Sequence, residues 1–314
     1  MEKLDLTILE KLGKFTNKIK LEVVKIPKIG VGIKEIIDYV EKEIFKNGYL
    51  PAFPCTVSVN EVAAHYTVFD ENYILKKSDL VKIDFGVSYN GFITDTALTI
   101  EVEDNKHQKL LETNKIALDL ALKKAEIGVP VNEIGEVVNK IATKEGFNTI
   151  HNLSGHQIGI NDLHCGISIP NYDNLDKTKL SEESEFAIEP FFTYGNPMIK
   201  YGGNSNILHL KSNKPLRDPI AKKVLNYIKE NYPHLPFSKR WLIKDIIKTL
   251  SNSEKLINGA FDKNKVLYAL KILKFNGLIQ EYETLVSVDG ELVSQFEETV
   301  VFIDKKKVII TDLK

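Results

Sequence analysis

Five residues of this 314-residue chain, Asp84, Asp95, His156, Glu189 and Glu297, stand in the segments IDFGVSYNGFITDTAL, LSGHQIG, FAIEPF and SQFEETVVF. Four carboxylates and one imidazole, each set in a largely apolar run, are costly to bury. An ionised carboxylate among Ile, Phe, Leu and Ala shifts its pKa or leaves the core unless a cation joins it. Divalent ions such as Mn, Fe(II), Co or Zn suit this mixture of oxygen and nitrogen donors. The chemistry that follows is hydrolysis, because a pair of such ions polarises a carbonyl and supplies hydroxide near neutral pH.

The first two carboxylates can be placed by geometry. Leu80 to Phe85 and Phe92 to Ile100 are apolar or alternating around Asn90-Gly91, a dipeptide suited to a two-residue hairpin turn because both residues tolerate positive φ. Paired positions then sum to one number, so Asp84 faces Ala97 and Asp95 faces Gly86. The two aspartates share one face as diagonal neighbours, roughly 7–8 Å apart at the backbone.

The elements that position them repeat. Residues 29–49 align without a gap to residues 127–147 at an offset of 98, with Gly30, Val31, Glu35, Ile36, Val40 and Gly48 recurring as Gly128, Val129, Glu133, Ile134, Val138 and Gly146. The preceding TNKI also recurs, at 16–19 and 113–116. Each unit reads as an amphipathic helix closed by glycine. Two such units, each followed by strands, predict a pseudo-twofold α/β domain with a cleft between its halves. Asp84 and Asp95 fall in the first half, and His156, Glu189 and Glu297 in the second. The five side chains are therefore expected at the seam.

The segments PAFPCTVSVNEVAAHYT, KIDFGVSYNGFITDTAL, NLSGHQIGINDLHCGISIPN, FAIEPF, LPFSKRWL and SQFEET resemble the methionine aminopeptidases of type II, in their short form without a long polar N-terminal extension. The resemblance implies a pita-bread fold with an inserted helical, winged-helix-like subdomain. It implies that Asp84, Asp95, His156, Glu189 and Glu297 bind two divalent metal ions and that Glu189 also shuttles a proton to the leaving amine. His65 and His164 would then bond the substrate amide and the developing oxyanion. Phe53, Leu163, His164 and Tyr282 would hold the methionine side chain, and a small second residue would be preferred. In one place the chain departs from the pattern: Glu298 stands where the family usually has histidine, adding a carboxylate beside the site.

The expected division is a catalytic domain of residues 1–210 and 281–314 with a peripheral insert at 211–280. The insert carries 15 Lys or Arg against 5 Asp or Glu, a net of +10, which leaves −11 for the rest. The simpler reading is that its lysines solvate helix faces. The alternative is docking on ribosomal RNA through residues such as Lys222, Lys223, Lys239 and Arg240. At 43% hydrophobic content the chain can bury a large core. Its two cysteines give no disulfide framework, and Cys165 is expected as a small buried residue. The opening MEKLDLTILEKLGKF has no continuous apolar run, so the expectation is a cytoplasmic monomer without a membrane anchor that acts on nascent polypeptide N-termini. Two other readings share the fold: a proline-directed aminopeptidase or dipeptidase, and a non-catalytic protein that binds RNA or proteins. The intact set of five candidate ligands speaks against the second.

Overall fold

The computed structural model describes residues 4–253 and 261–312. In its first half the strand Leu80–Tyr89 carries Leu50–Pro51 and Thr56–Val59 on one edge and Phe92–Glu101 on the other, all antiparallel. Helices Leu6–Val23 and Ile33–Lys46 cover this sheet. The stripe Ile33, Ile36, Ile37, Val40 and Ile44 recurs at helical spacing, and none of these residues is more than 1% exposed. The second half repeats the plan. Helices Gln108–Lys124 and Val131–Lys144 pack beside a five-stranded antiparallel sheet ordered Lys306–Ile309, Glu298–Ile303, Ser184–Ile188, Ser154–Gly159 and Asp162–Pro170. Apolar side chains of both halves merge into one core that includes Leu12, Ile36, Phe85, Ile134, Phe186 and Phe302.

The internal repeat is visible in the backbone. Helices Ile33–Lys46 and Val131–Lys144 both span 14 residues. Gly30 and Gly128 precede them with φ of +85° and +84°. Each donates its N–H to a leucine carbonyl, Leu75 at 2.9 Å and Leu180 at 2.8 Å. A Cβ on either glycine would meet nothing within 4 Å, so the left-handed backbone alone is what selects glycine there.

The hairpin has the expected register. Asn90 and Gly91 sit at φ of +52° and +84°, and Asp84 pairs with Ala97 while Gly86 pairs with Asp95. The two halves meet where Ala97 and Glu297 form an antiparallel bridge, with N···O distances of 2.9 and 3.4 Å. Threonine hydroxyls stitch the seam on both sides of it. Thr299 Oγ1 donates to the Asp95 carbonyl at 2.6 Å and accepts from the Asp95 N–H at 2.8 Å. Thr96 Oγ1 donates to the Glu297 carbonyl at 2.8 Å, and Thr99 Oγ1 to that of Gln295 at 2.6 Å. Asp95 and Glu297 are thus held at fixed positions in a buried seam.

Strands Ile199–Leu210 and Ile279–Ser287 form an antiparallel pair whose far end carries three helices, Pro219–Asn231, Lys239–Ser253 and Lys263–Phe275. These helices enclose a separate apolar cluster around Val224, Ile228, Leu242, Ile246 and Leu273. They are also clamped to the first half. The Arg240 guanidinium donates to both Glu41 carboxylate oxygens at 3.0 and 3.1 Å and to the Val68 carbonyl at 2.9 Å, and the Trp241 indole donates to Glu41 at 2.8 Å. Lys239 pairs with Glu281. Two expectations are corrected here. Lys239 and Arg240 are half-buried clamp residues, unsuited to contacting RNA. The insert is not wholly peripheral either, since its Pro236 lines the same cavity as Asp84, Asp95, His156, Glu189 and Glu297. Of the two cysteines Cys55 is the buried one; Cys165 is half-buried, with burial and the nearby Asp162 and Glu185 raising its thiol pKa. Among the described residues no helix is long and apolar enough to cross a membrane.

Candidate metal centre and catalytic cavity

Asp84 and Asp95 come from the hairpin, Asp84 opposite both Thr56 and Ala97. His156 lies on the strand Ser154–Gly159, paired with Ala187. Glu189 follows the strand Ser184–Ile188, and Glu297 leads into Glu298–Ile303 from the seam bridge. All five side chains converge on the floor of one cavity of about 300 Å³. His156 Nε2 is 3.5 Å from Asp95 Oδ2 and 4.0 Å from Glu189 Oε1. One ligand atom each from Asp95, His156 and Glu297 lie within 4.8 Å of one another. Gln295 donates to Glu189 Oε2 at 3.2 Å and orients it.

The electrostatics of this floor call for a cation. Burial raises the carboxyl pKa values of Asp84, Glu189 and Glu297 well above the usual range, and the Asp95 carboxylate beside them raises them further. Among the described residues no lysine or arginine pairs with the four carboxylates. Asp84 Oδ1, Asp95 Oδ1 and His156 Nδ1 are buried polar atoms without a hydrogen-bond partner, a state natural interiors rarely tolerate. Oxygen donors from four carboxylates with one imidazole fit hard or borderline divalent ions. The residues present therefore suit the metal site that the sequence suggests.

The walls hold the other expected residues. His65, His164, Phe53, Leu163 and Tyr282 all line the same cavity. His65 occupies a left-handed backbone position, φ +65°, uncommon for a residue with a side chain. Its Nδ1 lies 3.3 Å from the Glu283 carbonyl, and its ring meets that of Tyr282 edge-on at 5.7 Å. Burial, with a smaller contribution from His156, lowers its pKa despite the Glu283 bond. The His164 ring stacks obliquely on His156 at 4.3 Å. His164 keeps solvent exposure, and partial desolvation by the surrounding protein, then His156 and His65, lower its pKa. Sequence reasoning missed Asn152, Ile207 and Pro236, which also line the cavity. LPFSKRWL was visible as a motif, but nothing in it says that a proline from a helical insert closes a distant pocket.

Glu298 does not join this group. It is the next residue along a strand, so its side chain points to the opposite face. There it accepts from Lys20 Nζ at 2.6 Å, and Lys20 also donates to the Thr311 carbonyl at 2.9 Å. The extra carboxylate has its own cation and lies outside the catalytic cavity.

Comparison with known proteins identifies the family. Residues 8–205 match the family model described as metallopeptidase family M24. The chain is 37% identical to the methionine aminopeptidase of Pyrococcus horikoshii, covering 98% of this chain and 99% of that one. It is 38% identical to that of Thermococcus onnurineus, covering 96% and 97%. Among solved structures, the methionine aminopeptidase of Thermotoga maritima superposes with a TM-score of 0.66 at 21% identity over 96% of this chain and 94% of that one. A thermophilic Arx1 superposes at 0.79 with 16% identity over 98% and 91%. These two likenesses speak to the pita-bread fold, and the sequence relatives to the activity. The chain belongs to metallopeptidase family M24, among the methionine aminopeptidases, metal-dependent hydrolases that release an N-terminal methionine.

Proposed function

We propose that Asp84, Asp95, His156, Glu189 and Glu297 hold two divalent ions, from among Mn, Fe(II), Co and Zn, and that the cavity above them seats the methionine. The observation that carries this reading is the cluster of buried carboxylates whose own neighbours supply no balancing cation. When bound, such ions supply Lewis acidity and hydroxide at neutral pH. The remaining tasks fall to the protein. Phe53, Leu163 and Tyr282 give an apolar wall to an unbranched thioether. The Glu283 carbonyl can only accept, so His65 Nδ1 carries the proton of a neutral ring and Nε2 presents a lone pair to the substrate amide N–H. His164, also neutral, donates to the substrate carbonyl oxygen as charge develops on it. Glu189, oriented by Gln295, receives a proton and returns it to the departing amine.

The finer attributes of this reading are a small second residue, residence in the cytoplasm as a monomer, and nascent chains as substrate. The division of the chain into a catalytic domain, residues 1–210 and 281–314, and an insert, 211–280, belongs to it as well. It is supported by the separate apolar core of the three helices. Contact of the basic insert with the ribosome rests on its charge. The test compares Met-Gly-Met with an X-Pro peptide. Release of methionine from the first, with the second left intact, supports the proposal, whereas preferential cleavage at X-Pro overturns it.

A further inference from the structure

Beside the catalytic cavity runs a second depression, of about 610 Å³, that shares the residues His65, Asn152, Leu153 and Tyr282 with it. Its outer side is built from the strand pair Ile199–Leu210 and Ile279–Ser287. On the first of these strands the in-and-out alternation is lost: Lys200 to Asn204 are all exposed. The pairing register shifts between Tyr201 and Asn204, and Gly203 sits at φ +111°. Such a bulge bends a strand and re-aims its side chains. Tyr201, a lining residue of the depression, is left 75% exposed.

The free edge of this stretch adds a second feature. Among the described residues no strand pairs with it beyond Ile279–Ser287, because Phe237–Ser238 reaches only Ile207 and Leu208. At its catalytic end Asn152 closes the ladder. The Ile199 N–H donates to Asn152 Oδ1 at 2.9 Å, and Asn152 Nδ2 donates to the Ile199 carbonyl at 2.8 Å. The trough therefore begins at the catalytic histidine side and ends at an exposed aromatic ring next to unpaired backbone.

We propose that this trough binds the substrate polypeptide downstream of its second residue. The inference rests on the reading of the cavity as the methionine site. A cavity of about 300 Å³ is at the small end for a ligand pocket, and the walls it shares with the neighbouring depression offer the rest of a long substrate a path out. An enzyme that trims many different chains gains from contacts that ignore side chains. Main-chain pairing with a free strand edge and stacking on an aromatic face are both of that kind.

Tyr201 makes the proposal testable, since a side chain that is 75% exposed can be removed with little disturbance of the fold. Steady-state kinetics would be compared on a methionyl tripeptide and on a methionyl peptide of about eight residues with the same first three. The unsubstituted enzyme is expected to favour the longer peptide in kcat/KM. Tyr201→Ala should reduce kcat/KM on the longer peptide by about threefold to tenfold, the range for an aromatic contact, mainly through KM. It should leave the tripeptide unchanged, and Tyr201→Phe should keep the preference. Equal kcat/KM on both lengths in the unsubstituted enzyme, or a loss in Tyr201→Ala that is the same for both, would overturn the trough. Failure to release methionine from either peptide would fault the reading of the cavity, and the trough with it.

Discussion

His65 separates binding from chemistry most cleanly. It lines the cavity, is fixed by the Glu283 carbonyl and is not among the five proposed ligands. His65→Ala should therefore retain bound metal and thermal stability while kcat/KM falls by about 10²–10⁴-fold, the usual worth of a positioned acid or base. Metal analysis alongside kinetics checks this, and loss of metal in the variant would make His65 a ligand. The residue scale is also where the sequence was most readable. All ten expected residues line one cavity: the five candidate ligands stand in short apolar contexts such as SGHQIG and FAIEPF, whereas His65, His164, Phe53, Leu163 and Tyr282 are reached through the family resemblance. Glu298 shows the limit. One step along a strand reverses the face, so a carboxylate adjacent in sequence to a ligand has Lys20 as its partner and takes no part in the site.

At the scale of elements, the hairpin could be read because Asn90-Gly91 fixes its register, and the repeated helices because glycines punctuate both copies. The seam and the clamp could not. Threonine hydroxyls that bond across it, and a glutamate that meets an arginine 199 positions away, leave no periodic trace in sequence. The clamp makes a sharp prediction. Burial raises the Glu41 carboxyl pKa, while Arg240 and then Trp241 draw it back down. Without Arg240 it would titrate higher still. A folded-state pKa above the unfolded one means that the folded form holds an extra proton between the two values, so stability falls as pH rises through that window and stays low above it. Arg240→Ala should thus cost about 3 kcal/mol near pH 7, in line with breaking a buried ion pair, and less near pH 5. Thermal melts at both pH values check it; an equal loss at both would assign the effect to packing alone.

For the whole molecule, two halves that share a repeated helical unit bring the proposed ligands from both sides to one seam, and the insert adds a wall to the cavity while carrying excess positive charge. With Lys239 and Arg240 occupied in holding the insert, its exposed basic residues, among them Lys222, Lys244, Lys248 and Lys271, are the ones placed to meet a polyanion. If they dock on ribosomal RNA, co-sedimentation should weaken steeply with salt, and replacing the four by glutamine should lower both the binding and its salt slope. Cleavage of short peptides should not change. Co-sedimentation that is absent at low salt, or indifferent to the four replacements, would leave these lysines as solvating groups.

The dependence of methionine release on ions held by the buried carboxylates and His156 is what joins the proposed site to the activity. It is tested most directly by stripping the protein with a chelator and then measuring bound metal and methionine release together as a divalent ion is returned. No release from the stripped protein is expected, with recovery in step with occupancy, complete at about two ions per chain, and with Asp95→Asn failing in both readouts. Undiminished methionine release from metal-free protein, or full occupancy and activity in Asp95→Asn, would contradict it.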